Sequence, residues 1–131
     1  MSYLEEYQNS IKTPVNYWKK QAELIRWYKK PQKTLSTDEH GLQRWYDDGE
    51  LNTCYLALDY QIEQGRGEQL ALIYDSPVTN QKQTFTYNEL TQEVAKFADV
   101  LRAQHVEKGD RVLIYMPMIP QAAIAMLACA R

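Results

Sequence analysis

Cysteine and histidine are scarce in this chain, with two of each in 131 residues. Cys54 and Cys129 have no CxxC spacing. This excludes a disulfide framework and a zinc ribbon, and predicts two ordinary buried thiols in a reducing cytoplasm. His40 and His105 each stand alone, without a ligand at metal spacing or a nucleophile to serve, so neither is taken as catalytic or metal-binding. Glycine is thin too, with five, and only Gly65-Arg66-Gly67 brings two close together. That pair lacks a third glycine and precedes a strand instead of following one, so it reads as a linker and not a nucleotide-binding loop. No apolar run is long enough to span a bilayer, the longest being Ala122 to Ala130. The opening Met1-Ser2-Tyr3-Leu4-Glu5-Glu6 is acidic and has no apolar stretch of the secretory kind. A formal net charge of −2 gives no whole-chain case for a nucleic-acid or membrane partner.

What is present is a globular composition, 44% hydrophobic and 24% charged, in a chain long enough for one real core. Ser2-x-x-Glu5 is a capping box, followed by Tyr3, Tyr7 and Ile11 at helical spacing. Thr13-Pro14 restarts a helix with Thr13 as N-cap, and Val15, Trp18, Ala22 and Ile25 share its inner face until Lys29-Lys30-Pro31 breaks it. Residues 1–35 hold seven Lys or Arg against three Glu, interleaved with Trp18, Trp27 and Tyr28. The aromatics fall at core spacing, so this is read as a solvated lysine face and not a nucleic-acid surface. Asp47-Asp48-Gly49 marks a turn and Asn52 an N-cap, predicting a helix over 53–64 with Cys54, Leu58 and Ile62 inward. Leu70–Tyr74 and Gln83–Thr86 read as an antiparallel hairpin. Thr86-x-x-Glu89, with Phe85 and Leu90 as a hydrophobic staple, opens a helix over 87–104. His105 sits at its stop, where a left-handed conformation suits glycine best.

The last stretch organises the rest. Gly109-Asp110 turns into the apolar run Arg111–Met116, the pattern of a strand buried on both faces and joined to the sheet. Pro120 then opens a helix whose residues Ala122 to Ala130 are all apolar, which predicts neighbours on every side. A fully apolar helix is an odd natural end, so the chain is expected to be a piece of something larger. If so, Ile124, Met126 and Leu127 are left exposed or covered by self-association through 120–131.

This stretch, with its Met116-Pro117-Met118-Ile119 and Met126-Leu127-Ala128-Cys129-Ala130-Arg131 strings, resembles the acetyl- and propionyl-CoA synthetase branch of the AMP-forming acyl-CoA synthetases. Trp45, Gly49, Asn52, Cys54 and Asp59 fit the same family. Leu56 and Tyr60 stand where the family usually has Asn and Arg, which argues against a local polar network around Asp59. The resemblance implies an α/β fold: an N-terminal helical segment, 1–64, then the first strands and helices of the large AMP-binding, adenylating domain, 65–131, truncated. It implies an acid–thiol ligase that joins a short-chain carboxylic acid to ATP as an acyl-adenylate and then to CoA, with Mg2+, in the cytoplasm. Cys54 and Val112-Leu113-Ile114-Tyr115 favour propionyl over acetyl. The family's glycine-rich Ser/Thr phosphate loop, catalytic lysine motif and CoA-contacting segment are all missing. No catalytic, cofactor-binding or metal residue is therefore carried onto this chain, which is expected to be scaffold, inactive alone and free of bound cofactor. Asp47 and Asp48 have no second acidic cluster with which to complete a Mg2+ site. The alternatives are an adenylating paralogue acting on another acid, to which Leu56 and Tyr60 point, and a non-catalytic binding module.

Overall fold

A computed structural model describes residues 2–131. These residues form two compact units that divide between Leu51 and Asn52.

In the first unit, Ser2 caps helix α1 (Tyr3–Lys12). The Glu5 N–H donates to the Ser2 hydroxyl at 3.4 Å and the Ser2 N–H donates to the Glu5 carboxylate at 2.8 Å. This reciprocal pair satisfies donors that a helix start leaves open. Thr13 occupies the N-cap position of α2 (Pro14–Gln21), but its side chain makes no cap bond there. Its hydroxyl instead donates back to the Asn9 carbonyl at 3.2 Å. Helix α2 also stops earlier than its spacing predicts, giving way to a 3-10 turn over Ala22–Leu24 and an extended Ile25. The Trp27 indole N–H takes the Ala22 carbonyl at 2.8 Å, an acceptor that a continuing helix would give to Arg26.

Strands β1 (Leu35–Thr37) and β2 (Gln43–Trp45) pair antiparallel, with Leu35 opposite Trp45. Among the described residues of this unit only Ala22 is buried. Aromatic edges stand in for an aliphatic core. Trp18 meets Tyr17 at 5.1 Å and Trp45 at 6.5 Å, both edge-on, and Trp27 meets Tyr46 at 5.5 Å. The Tyr46 hydroxyl donates to the Trp18 carbonyl at 2.7 Å.

In the second unit, Asn52 caps α3 (Thr53–Ala57) by accepting from the Tyr55 N–H at 2.9 Å. The single helix expected over 53–64 is broken. Leu58 leaves the helical region (φ −120°, ψ −72°), a short α4 follows (Asp59–Gln61), and a wide turn over Ile62–Arg66 carries Gly65 at φ 78°. The Gln61 side-chain amide donates to the Leu56 carbonyl at 3.0 Å, an acceptor the unbroken helix would need for its own backbone. Cys54 and Leu58 still face inward and are buried.

Strands β3 (Leu70–Ser76) and β4 (Gln81–Thr86) form the expected antiparallel hairpin, with an irregularity between Leu70 and Leu72. Thr86 and Glu89 close their capping box on α5 (Tyr87–Ala103). That helix ends with His105 at φ 60°. The His105 N–H donates to Arg102 and the Val106 N–H to Leu101, the paired bonds of a left-handed helix stop. Helix α6 (Pro120–Ala130) packs on α5. Cys54, Leu58, Leu90, Val94, Ile124 and Ala128 form the buried core, with Leu72, Phe85 and Phe97 against it.

Three expectations are corrected here. Arg111–Met116 forms neither strand nor helix, because among the described residues β3 pairs only with β4 and no strand lies beside this segment. Its side chains nonetheless alternate as an extended chain would: Val112, Ile114 and Met116 are 41%, 36% and 42% exposed, Leu113 and Tyr115 90% and 96%. In α6, Ile124 is buried and Leu127 packs on the core, leaving only Met126 of the three exposed. Cys129 is exposed and not buried.

Candidate functional site

The second unit gathers four polar groups where α6 ends. Arg131 forks onto Asp59, Nη1 reaching Oδ2 at 2.8 Å and Nη2 reaching Oδ1 at 3.0 Å. Such bidentate pairs fix orientation as well as charge. The same Nη1 lies 3.7 Å from Cys54 Sγ, and the Asn52 side-chain N–H donates to the Arg131 carbonyl at 3.2 Å. One asparagine amide thus closes two helix ends, accepting at the start of α3 and donating at the end of α6.

The ion pair is about one-third exposed on each side, 32% for Arg131 and 28% for Asp59. It therefore stands between a screened surface pair and a buried one. The Asp59 carboxylate raises the Arg131 pKa still further, so the guanidinium stays charged. Burial pushes the Cys54 thiol up, and the Arg131 guanidinium offsets this only in part. Cys54 is thus a neutral thiol and a poor nucleophile. The cluster can hold elements in register, but it presents no group suited to acid–base or nucleophilic chemistry.

The polar network around Asp59 overturns the expectation drawn from Leu56 and Tyr60. The partner is Arg131, far along the chain. One signal for it was in the sequence: Arg131 follows the apolar run Ala122 to Ala130, and a charge beside a core needs a partner.

The other weighed residues have structural places. His40 is exposed beside Glu39, and His105 is the helix stop. The Asp47 carboxylate accepts from the Ser36 hydroxyl at 2.6 Å. Asp48 accepts from the N–H groups of Gln32 and Lys33 at 2.9 and 3.3 Å. Against a desolvation cost, those bonds hold its carboxyl below the usual value. Gly65 and Gly67 do not shape a phosphate cradle, because Asn88 fills the space beside Gly67. No group of three or more His, Cys, Asp or Glu side chains that could hold a metal occurs among the described residues. The residues present do not fit Mg2+ or a nucleotide phosphate chain.

Residues 3–57 match the family described as acetyl-coenzyme A synthetase N-terminus, and residues 58–131 match the family described as AMP-binding enzyme. The chain belongs to the AMP-binding enzyme family.

It is similar to an uncharacterized protein of Pseudomonas aeruginosa, 56% identical over all of this chain and 21% of the relative. It is 51% identical to the human mitochondrial acyl-CoA synthetase short-chain family member 3, over 98% of this chain and 19% of that protein. An acetyl-coenzyme A synthetase of Yersinia pestis is 44% identical over 98% of this chain and 20% of its own length. Among solved structures, acetoacetyl-CoA synthetase from Streptomyces lividans superposes with a TM-score of 0.82 at 31% identity, over 99% of this chain and 20% of that one. The chain thus spans about a fifth of the length of the relatives it matches.

Proposed function

We propose that this chain is the N-terminal part of an AMP-forming short-chain acyl-CoA synthetase. In this reading the whole protein activates a carboxylic acid with Mg-ATP as an acyl-adenylate and passes the acyl group to CoA. Residues 1–131 serve it as scaffold. The observation that carries the reading is the order of the two family matches, which run end to end from residue 3 to residue 131. The reading includes a reducing, cytoplasmic setting, to which the two cysteines without CxxC spacing point. The scaffold role rests on chemistry. Adenylation needs preorganised donors and cations around the phosphates, worth several kcal/mol each, and this chain has no phosphate loop to supply them.

ATP–pyrophosphate exchange with acetate, propionate, butyrate and acetoacetate tests both halves. The whole protein is expected to exchange with at least one of the first three acids, and the 131-residue chain with none. Exchange by the chain alone would overturn the scaffold role. Exchange by the whole protein with acetoacetate only, or with none of the four, would move the reading to a paralogue acting on another acid, the direction in which Leu56 and Tyr60 point.

A further inference from the structure

Pro120, Ile124, Ala125 and Ala128 are buried, whereas Cys129 and Ala130 face solvent. Past Ala128, the side-chain contacts of the helix end are polar: Asn52 to the Arg131 carbonyl, and Arg131 to Asp59 and Cys54. Cys54 itself is wholly buried, and the Arg131 guanidinium forms one wall of its surroundings. The four residues come from both matched segments, Asn52 and Cys54 from 3–57, Asp59 and Arg131 from 58–131.

We propose that the Asp59–Arg131 fork is a latch: it seats the last turn of α6 over Cys54, and its opening uncovers that thiol while the remaining core stays folded. Local openings of this kind are expected where polar contacts, and not apolar burial, hold a segment in place. The core packing of Leu90, Val94 and Ile124 does not pass through Arg131, so it has no reason to open with the latch. The contacts of Asn52 and Cys54 with Arg131, and not the fork itself, join the end of the first matched segment to the second.

Iodoacetamide labelling of the 131-residue chain, resolved by peptide mass, reads the latch directly. Cys129 is exposed and serves as the internal control. In the unaltered chain Cys54 labels far more slowly than Cys129. Asp59→Asn is expected to speed Cys54 labelling by about tenfold, the scale of one lost charged hydrogen-bond pair. Cys129 labelling and the helical circular dichroism should stay unchanged. Amide exchange should rise in Cys129–Arg131 and stay slow in Leu90–Val94. The exchanged pair Asp59→Arg with Arg131→Asp should restore protection at Cys54. Unchanged Cys54 labelling in Asp59→Asn overturns the proposal. So does labelling that rises only together with loss of helix or of protection at Leu90–Val94. So does an exchanged pair that leaves Cys54 as open as the single variant.

Discussion

Gly67 has an ordinary backbone (φ −52°, ψ −37°), yet a Cβ added to it would stand 2.7 Å from Asn88 Nδ2. Asn88 is not free to swing, since its amide donates to Glu68 at 2.7 Å and its own N–H donates to the Gly67 carbonyl at 3.0 Å. Gly67→Ala is therefore expected to cost about 1 kcal/mol through overpacking, read as a lower urea midpoint with an unchanged slope. Asp38 gives a second residue-scale expectation. Its carboxylate accepts from the N–H groups of Leu42 and His40 and from Arg44, and the Leu42 bond contributes most to holding its pKa below 3.8. A depressed carboxylate stabilises the folded state above its unfolded pKa, and that contribution fades as pH falls through the folded value. The amide resonances of His40 and Leu42 should accordingly shift below pH 3.8, and Asp38→Asn should abolish the shift. At this scale the sequence was legible where partners are a few positions apart, as in the Ser2–Glu5 and Thr86–Glu89 boxes. It marked Arg131 as a charge beside an apolar helix but could not name a partner 72 positions away, as Asp59 is. No local pattern encodes such a pair.

Among the elements, α5 came through from sequence with its start, face and stop, because capping box, staple and periodicity all agree. Its stop also invites a test. His105 sits at φ 60° with no turn chemistry of its own, so His105→Gly should relieve left-handed strain and stabilise by about 0.5–1 kcal/mol. Thr86→Ala should cost about 1 kcal/mol by removing the other end's cap. Thermal melts of the two variants should move in opposite directions. The helix over 53–64 was not legible as broken, since periodicity records which face turns inward and not whether the backbone hydrogen bonds continue through it. Arg111–Met116 taught a related limit. Its pattern specifies extended backbone and two apolar faces, but pairing needs a second strand that the pattern cannot supply. Leu113→Lys with Tyr115→Lys should leave stability within about 0.5 kcal/mol, because both side chains already face solvent. The same pair should weaken any self-association of the 131-residue chain in sedimentation.

Over the whole molecule, the family was readable from two strings of residues, while the unit boundary was not. The matched segments meet between residues 57 and 58, but the compact units part between Leu51 and Asn52. Helix α3 belongs to the first segment by sequence and to the second unit by packing, because Cys54 is core there. The aromatic cluster of the first unit has an optical consequence. Trp18, Trp27 and Trp45 all lie before residue 52, and the second unit has no indole at all. Emission excited at the red edge of the indole band therefore watches only the first unit, whereas far-ultraviolet dichroism also reports α5 and α6 of the second. If the two signals lose their native values at different denaturant concentrations, the units melt separately and one free energy of unfolding does not describe the chain. If they coincide, the two units unfold as one, and a dye-free fluorometer is enough to follow both.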